Sequence, residues 1–310
     1  MHKTRRIFLK RYGPAGLALS GMGPIALQAA SPKEREIVIL HTNDMHSHID
    51  PFESGHPKYP SQGGMAFRAK LIESIRAEHK NVLLLDAGDI MQGTPYFNLF
   101  GGSLEMRLMS MMGYDAATMG NHDFDAGMEG FVKAKSEADF PFLCANYGFE
   151  DTPISGHTKD FHVFKKKGLR IGVFGIGIDP KGLIPPSLCE GVIYDDPIRV
   201  SQQTTDILRN DHRCDMVICL SHLGLRYRSK KVSDEVLAQS VEGIDLIIGG
   251  HTHSFMEGVL EVLGPKGHIT RIHQVGWAGV RLGVLRFTFG AGSGNSLSMK
   301  EAGWIRTTRV

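Results

Sequence analysis

The chain has only four cysteines, at positions 144, 189, 214 and 219, and no two of them form a C-x-x-C pair. Zinc knuckles and thioredoxin-like redox sites need that pairing, so both are excluded. Cys144 and Cys219 lie in apolar runs and are expected as small buried hydrophobes. Strong charge bias is absent too, with 35 Lys and Arg against 33 Asp and Glu. No basic field therefore points to nucleic acid as a partner. Acids are missing altogether before Glu34, whereas Lys3, Arg5, Arg6, Lys10 and Arg11 all precede it. Without those five bases the rest of the chain is mildly acidic. No run is long and apolar enough for a stable membrane span. Internal repeats and low-complexity tracts are lacking, and 42% apolar with 22% charged residues is the balance of a packed globular chain.

What the first thirty residues do have is the order of an export signal. A basic stretch ending at Arg11 precedes a weakly apolar run over 13–27, then Ala29 and Ala30. Thr4-Arg5-Arg6-Ile7-Phe8-Leu9-Lys10 resembles the twin-arginine signal, which sends proteins out already folded. An ordinary Sec signal with adjacent arginines is the alternative, and the indistinct cleavage site leaves an uncleaved anchor open. The expected organisation is a twin-arginine-type signal over 1–30 and one catalytic domain over 31–310. The expected location is periplasmic or in the cell envelope.

Short apolar runs at 37–40, 82–85, 142–145, 171–175, 216–220 and 246–248 read as strands buried on both faces. Helical patterns over 66–78, 104–112, 128–138, 197–210 and 233–240 alternate with them, which predicts a layered α/β fold. A hairpin is expected around Lys165-Lys166-Lys167-Gly168, antiparallel strands at 269–275 and 283–289, and a flexible turn at 290–294. Met106, Met109, Met111 and Met112 crowd one helix and are read as core packing. Gly175-Ile176-Gly177 hints at a dinucleotide loop, but Pro180 stands where the third glycine belongs.

Chemistry-bearing residues gather at the strand ends. Asp44 and His46 follow the first strand and Asp89 the second; Asn121 and His122 follow a short third. His222, His251 and His253 end two later strands. In open α/β sheets ligands bind beyond the carboxyl ends of strands. D-x-H and H-x-H in extended backbone put both side chains on one face, and the flanking Gly88, Gly120, Gly249 and Gly250 allow close approach. Carboxylates, imidazoles and one amide without thiolate suit Zn, Mn, Fe or Co. Seven donors exceed one tetrahedral ion and fit two divalent ions sharing a carboxylate, the arrangement used for in-line displacement at phosphorus. Asp86 is read as a turn former. Asp125 stands either as the partner of His122 or as a helix cap.

The segments Asp44–His46, Gly88-Asp89, Gly120-Asn121-His122-Asp123, His222 and Gly250-His251-Thr252-His253 resemble, in order, the five blocks of the calcineurin-like metallophosphoesterases. Ile39-Leu40-His41-Thr42-Asn43-Asp44-Met45-His46 and Ser221-His222-Leu223-Gly224 are more closely similar to the catalytic domain of the 5′-nucleotidase branch. The resemblance spans residues 36–300 and implies a layered sandwich of two mixed β-sheets flanked by helices, in a single domain. It further implies one ion held by Asp44, His46, Asp89 and His253. The other would be held by Asp89, Asn121, His222 and His251, with Asp89 bridging. His122 would face the phosphate and Asp125 would hold its ring. The expected activity is hydrolysis of a small phosphoester, a nucleotide first among them, by a metal-activated water. A sugar diphosphate, a cyclic nucleotide or a thiosulfohydrolase-type substrate is the alternative. A non-enzymatic, partner-binding chain that uses its metals for folding is another. Typical 5′-nucleotidases carry a second, nucleoside-binding domain, so a separate chain supplying that grip is an expected partner.

Overall fold

A strand that is apolar on both faces needs a cover on each, and two kinds of cover occur here. The computed structural model describes residues 35–290 and 297–308. The export signal expected over 1–30 and positions 291–294 of the expected turn lie outside the described residues. Seven strands form one mixed sheet in the order β15 (Leu297–Arg306), β14 (Arg281–Phe289), β1 (Arg35–Thr42), β2 (Val82–Asp86), β3 (Ala116–Thr118), β4 (Phe142–Leu143) and β6 (Thr158–Lys159). Six form a second, in the order β12 (Leu260–Leu263), β13 (Ile269–His273), β11 (Leu246–Gly249), β10 (Met216–Ser221), β8 (Leu169–Ile176) and β7 (Phe161–Lys166). A small antiparallel ribbon pairs β5 (Tyr147–Gly148) with β9 (Ile193–Tyr194).

The period-2 alternation of each strand divides its apolar residues between two cores. Ile37 and Ile39 of β1 and Leu83 and Leu85 of β2 pack with Ile171, Val173, Ile218, Leu220 and Ile248 between the two sheets. Their neighbours Val38, Leu40 and Leu84 face the other way. They pack against residues of α1 (Met65–Glu78), α3 (Ser103–Met112) and α4 (Gly127–Lys135). On the second sheet Val217, Cys219 and Ile247 meet α5 (Pro197–Asp206) and α6 (Asp234–Ser240). Helix, sheet, sheet, helix is the resulting order of layers. Each such buried aliphatic side chain contributes about 1.5–3 kcal/mol.

Several expectations shift in detail. The strands near 269–275 and 283–289 exist and make antiparallel pairs, β13 with β12 and β14 with β1 and β15, but they lie in different sheets and β13 is also parallel to β11. The segment between them crosses from one sheet to the other. α2 (Pro95–Phe100) and β15 carry little buried apolar surface, so periodicity gives no sign of them. The helical pattern over 197–210 ends as a π-helical turn, Ile207–Asp211. Met106, Met109 and Met112 are buried in the core, whereas Met111 is exposed. The four cysteines are free, and Cys144 and Cys219 are buried as expected. A Cβ on Gly175 would lie 1.8 Å from the Leu143 carbonyl oxygen, so this glycine serves the close approach of β8 to β4 rather than a dinucleotide. Among the described residues no helix is long and apolar enough to cross a membrane.

Candidate metal centre

Parallel pairing of β2 with β1 and β3, and of β10 with β8 and β11, points the carboxyl ends of these strands toward one edge of the sandwich. The loops leaving those ends carry all nine residues singled out from the sequence, and the fold brings them together. Asp44, His46 and His253 place one donor atom each within 4.8 Å of one another, and so do Asp89, His222 and His251. Asn121 joins the second group, its Oδ1 lying 2.9 Å from His251 Nδ1.

The Asp89 carboxylate stands between the groups. Its Oδ1 accepts the His122 backbone N–H at 2.8 Å. Its Oδ2 lies 3.1 Å from His222 Nε2 and 3.8 Å from His46 Nε2. His46 Nε2 is in turn 3.0 Å from His253 Nε2, which is 3.4 Å from Asp44 Oδ1. Burial opposes ionisation of Asp89, yet the imidazoles of His222, His46 and His122 hold its carboxyl below the ordinary carboxylate range. His222 shows the reverse balance: burial disfavours its charge, and Asp89 and Asp44 raise it to about 10. Burial, reinforced by His222, pushes His251 down to about 4.

These residues fit divalent ions. His222 is fully buried, and its Nδ1 faces the Ala87 carbonyl oxygen at 2.7 Å, so Nδ1 carries the proton that is donated there. Nε2 is left without a hydrogen-bond partner and directed at a carboxylate. Something positive must lie between Nε2 and that carboxylate: the proton that the raised pKa records, or a divalent ion that replaces it, and a ring oriented by a backbone carbonyl is the usual support of a metal-binding imidazole.

The D-x-H and H-x-H segments are not extended as expected. Asp44, His46, Asp89, His251 and His253 all adopt left-handed backbone, with φ of 50°, 47°, 56°, 70° and 50°. Such conformations cost of order 1–3 kcal/mol each and persist where surroundings enforce them. Here the enforcing bonds are Asp44 N–H to Gly88 O at 2.9 Å, His46 N–H to Asp89 O at 3.0 Å and His251 N–H to Asp44 Oδ1 at 2.9 Å. The side chains converge because the chain turns at each donor, not because it alternates.

His122 and Asp125 sit at the rim. Their side chains are 38% and 27% exposed, against 0% for His222, so they face whatever enters. His122 Nδ1 lies 2.8 Å from Asp125 Oδ2. Burial lowers the His122 pKa, but this bond and the carboxylates of Asp89 and Asp123 outweigh it and raise the pKa above the usual value. The α4 helix takes Ala126 as its N-cap with no side-chain bond, so Asp125 serves His122 rather than the helix.

Asp123, Asn43 and Trp277 escaped the sequence reading. Asp123 accepts backbone N–H bonds from Asp89, Ile90, Met91 and Gly120, clamping two donor loops together. Burial and the nearby Asp89 push its pKa up to about 7. Asn43 Nδ2 donates to Asp44 Oδ2 and to Gly276 O, and its Oδ1 accepts from Val275 N–H. Trp277 stacks on His253 at 5.7 Å with planes 7° apart. For Asp123 and Asn43 the signal was their place inside the blocks that carry the family resemblance, which gave them no role. Asp86 is the turn former expected, accepting from Thr42 Oγ1 and Gly88 N–H.

Comparison with known proteins agrees with this geometry. Residues 37–255 match the calcineurin-like phosphoesterase family. A 5′-nucleotidase of Diplobatis ommata is 36% identical over 245 residues, covering 77% of this chain and 41% of that protein. The rat 5′-nucleotidase is 33% identical over 249 residues, again 77% of this chain and 41% of the relative. The chain thus spans about two fifths of these relatives' length. In three dimensions a 5′-nucleotidase precursor of Thermus thermophilus superposes with a TM-score of 0.79 at 28% identity, covering 88% of this chain and 55% of that one. With five strand-end blocks, two donor groups and a match over most of its length, this chain belongs to the calcineurin-like phosphoesterase family.

Proposed function

We propose that this chain is an exported, dinuclear-metal phosphomonoesterase of the 5′-nucleotidase kind. The observation that carries the reading is Asp89 Oδ2 facing imidazole nitrogens of both donor groups, next to the His122–Asp125 pair. Asp44, His46, Asp89 and His253 would hold one ion, and Asp89, Asn121, His222 and His251 the other, with Asp89 shared. Two divalent ions bound there supply Lewis-acid charge against the phosphoryl oxygens and make water acidic enough to attack near neutral pH.

The remaining work belongs to the protein's own groups. Asp125 accepts the His122 Nδ1 proton, which fixes the ring and leaves Nε2 as the position from which a proton reaches the leaving oxygen. The bond to Asp125 and the nearby carboxylates raise the His122 pKa against the lowering effect of burial, which favours the protonated ring. Asp123 and Asn43 hold the donor loops so that no reorganisation accompanies charge development. The relatives named 5′-nucleotidase support a nucleotide substrate. The basic, twin-arginine-like segment at 1–30 supports export to the periplasm or envelope.

Phosphate release by the purified chain loaded with Mn or Zn, across nucleoside monophosphates and para-nitrophenyl phosphate, tests the activity. Release that a chelator abolishes and metal restores is expected, and none from any of these esters overturns the reading. For export, Arg5→Lys with Arg6→Lys is expected to hold the full chain in the cytoplasm; unchanged export would point to the Sec route instead.

A further inference from the structure

The two donor groups share one loop. Gly250-His251-Thr252-His253-Ser254 leaves β11 and supplies His253 to the first group and His251 to the second. Both histidines hold left-handed backbone, so the loop turns sharply twice within three residues. Its two ends are joined by a side chain from outside it. Gln274, fully buried just past β13, donates from Nε2 to the Gly250 carbonyl oxygen at 2.8 Å and accepts the Ser254 N–H on Oε1 at 2.9 Å. Thr252 Oγ1, between the two histidines, donates to the same Oε1 at 3.2 Å. A carbonyl only accepts and a backbone N–H only donates, so the amide has one orientation here. Behind it stands Asp234, the first residue of α6 and also fully buried. Its Oδ2 lies 3.4 Å from Gln274 Nε2, and its Oδ1 accepts from Ser221 Oγ, next to His222.

We propose that Gln274 is a positioning residue for both metal ions. By closing the loop at its two ends it sets His251 and His253 together, and through them the place of one ion relative to the other. This role rests on the dinuclear reading above and adds the residue on which the pairing of the ions depends. An imidazole on a loop of left-handed turns has no helix or strand to fix its direction. The other restraints named above act on one histidine each: Asp44 Oδ1 accepts from His251 N–H, and Trp277 stacks on His253. Gly276 N–H donates to Ser254 O at 3.0 Å and secures one end of the loop. The Gln274 amide alone bonds to both ends and to the residue between the two rings. Groups that hold a metal donor in place typically carry about 10–100-fold in metal affinity or activity.

Gln274→Met keeps the bulk of the side chain and removes both polar atoms. Gln274→Asn keeps the amide but is one methylene too short to reach both ends. The unfolding midpoint of each purified, metal-free chain fixes a temperature at which all are folded; if Gln274→Met does not fold, Gln274→Asn decides alone. At that temperature hydrogen exchange over 250–254 is expected to quicken about tenfold in the variants, with β2 unchanged. Mn titrated by calorimetry is expected to bind about tenfold more weakly at both sites. With both sites filled, the natural chain is expected to give the electron paramagnetic resonance spectrum of a spin-coupled Mn pair, and the variants an altered coupling. Lost stability alone does not alter that spectrum in a folded chain. For para-nitrophenyl phosphate, kcat is expected to fall about 10–100-fold with KM unchanged. Natural Mn affinity and coupling in a folded variant overturn the role, whatever the unfolding midpoint. The two readings fail separately. A natural chain without a coupled Mn pair removes the dinuclear reading, and quickened exchange over 250–254 then leaves only the loop closure standing. A coupled pair and phosphate release that both variants keep unchanged remove the role of Gln274 alone.

Discussion

His122 and Asp89 lie within one hydrogen bond of each other and answer to different measurements. His122→Asn keeps a polar group at the rim but no transferable proton. Turnover is expected to fall by about 10²–10⁴ while metal content stays at the natural level. Loss of metal from that variant would show that His122 is itself a donor. Asp89→Asn tests the opposite role. Asn tolerates the left-handed backbone that Asp89 adopts, so the turn survives while the shared negative charge disappears. Both ions are expected to be lost, and elemental analysis returning two per chain would end the bridging assignment. Eight of the nine candidate residues could be singled out because they follow the end of a strand, and Asp125 because it stands three residues past His122 in a block resembling the family's. Asp123 was not, because its four backbone partners come from two loops whose approach no spacing reveals. Trp277 was hidden for the same reason, meeting His253 only across the fold.

Among the elements, β8 passes β4 closely enough that only glycine fits at position 175. Ala145 N–H, just past β4, donates to Gly175 O at 2.8 Å and stitches the two sheets, while Thr118 Oγ1 donates to Leu143 O at 2.7 Å within the first sheet. Gly175→Ala is expected to cost about 3 kcal/mol or more in urea unfolding, since backbone must move to admit the methyl. Gly303→Ala on β15 meets nothing within 4 Å and is expected to stay within about 0.5 kcal/mol of the natural chain. Equal effects at the two positions would mean that the approach at Gly175 relaxes freely. Strands such as β1, β2 and β10 were readable because each carries an unbroken apolar run buried on both faces. β15 was not, being an edge strand of half-exposed residues whose apolar alternation stops after Leu297 and Met299.

At the scale of the whole molecule, the buried pair His41 and His273 makes stability depend on pH. His41 Nε2 lies 2.8 Å from His273 Nδ1, joining β1 of one sheet to β13 of the other. Burial lowers both pKa values, with His273 pushed to about 4 and His41 well below its usual value, each ring further disfavoured by a neighbouring cation or imidazole. The unfolded chain therefore binds more protons than the native one between about pH 4 and pH 6.5. The stability is fully present above 6.5 and is lost progressively as pH falls toward 4. His273→Gln is expected to flatten that slope in denaturant titrations between pH 7 and 4.5; an unaltered slope would assign it to other groups. Divalent ions add a second term. At a hundredfold excess over Kd one ion stabilises by about 2.7 kcal/mol, so the melting temperature should climb with added Mn or Zn and drop with chelator. A melting temperature indifferent to both would contradict the donor assignment.

Each donor group draws on both sheets: Asp44 and His46 leave the first and His253 the second, while Asp89 leaves the first and His222 and His251 the second. Neither half of the sandwich holds a complete set alone. The donor groups therefore come together only once the two sheets dock, and any ion they take up would come from the surroundings in which that docking happens. For a chain exported already folded, that would be the cytoplasm, whose metal pool rather than the periplasmic one would decide which ions the enzyme carries.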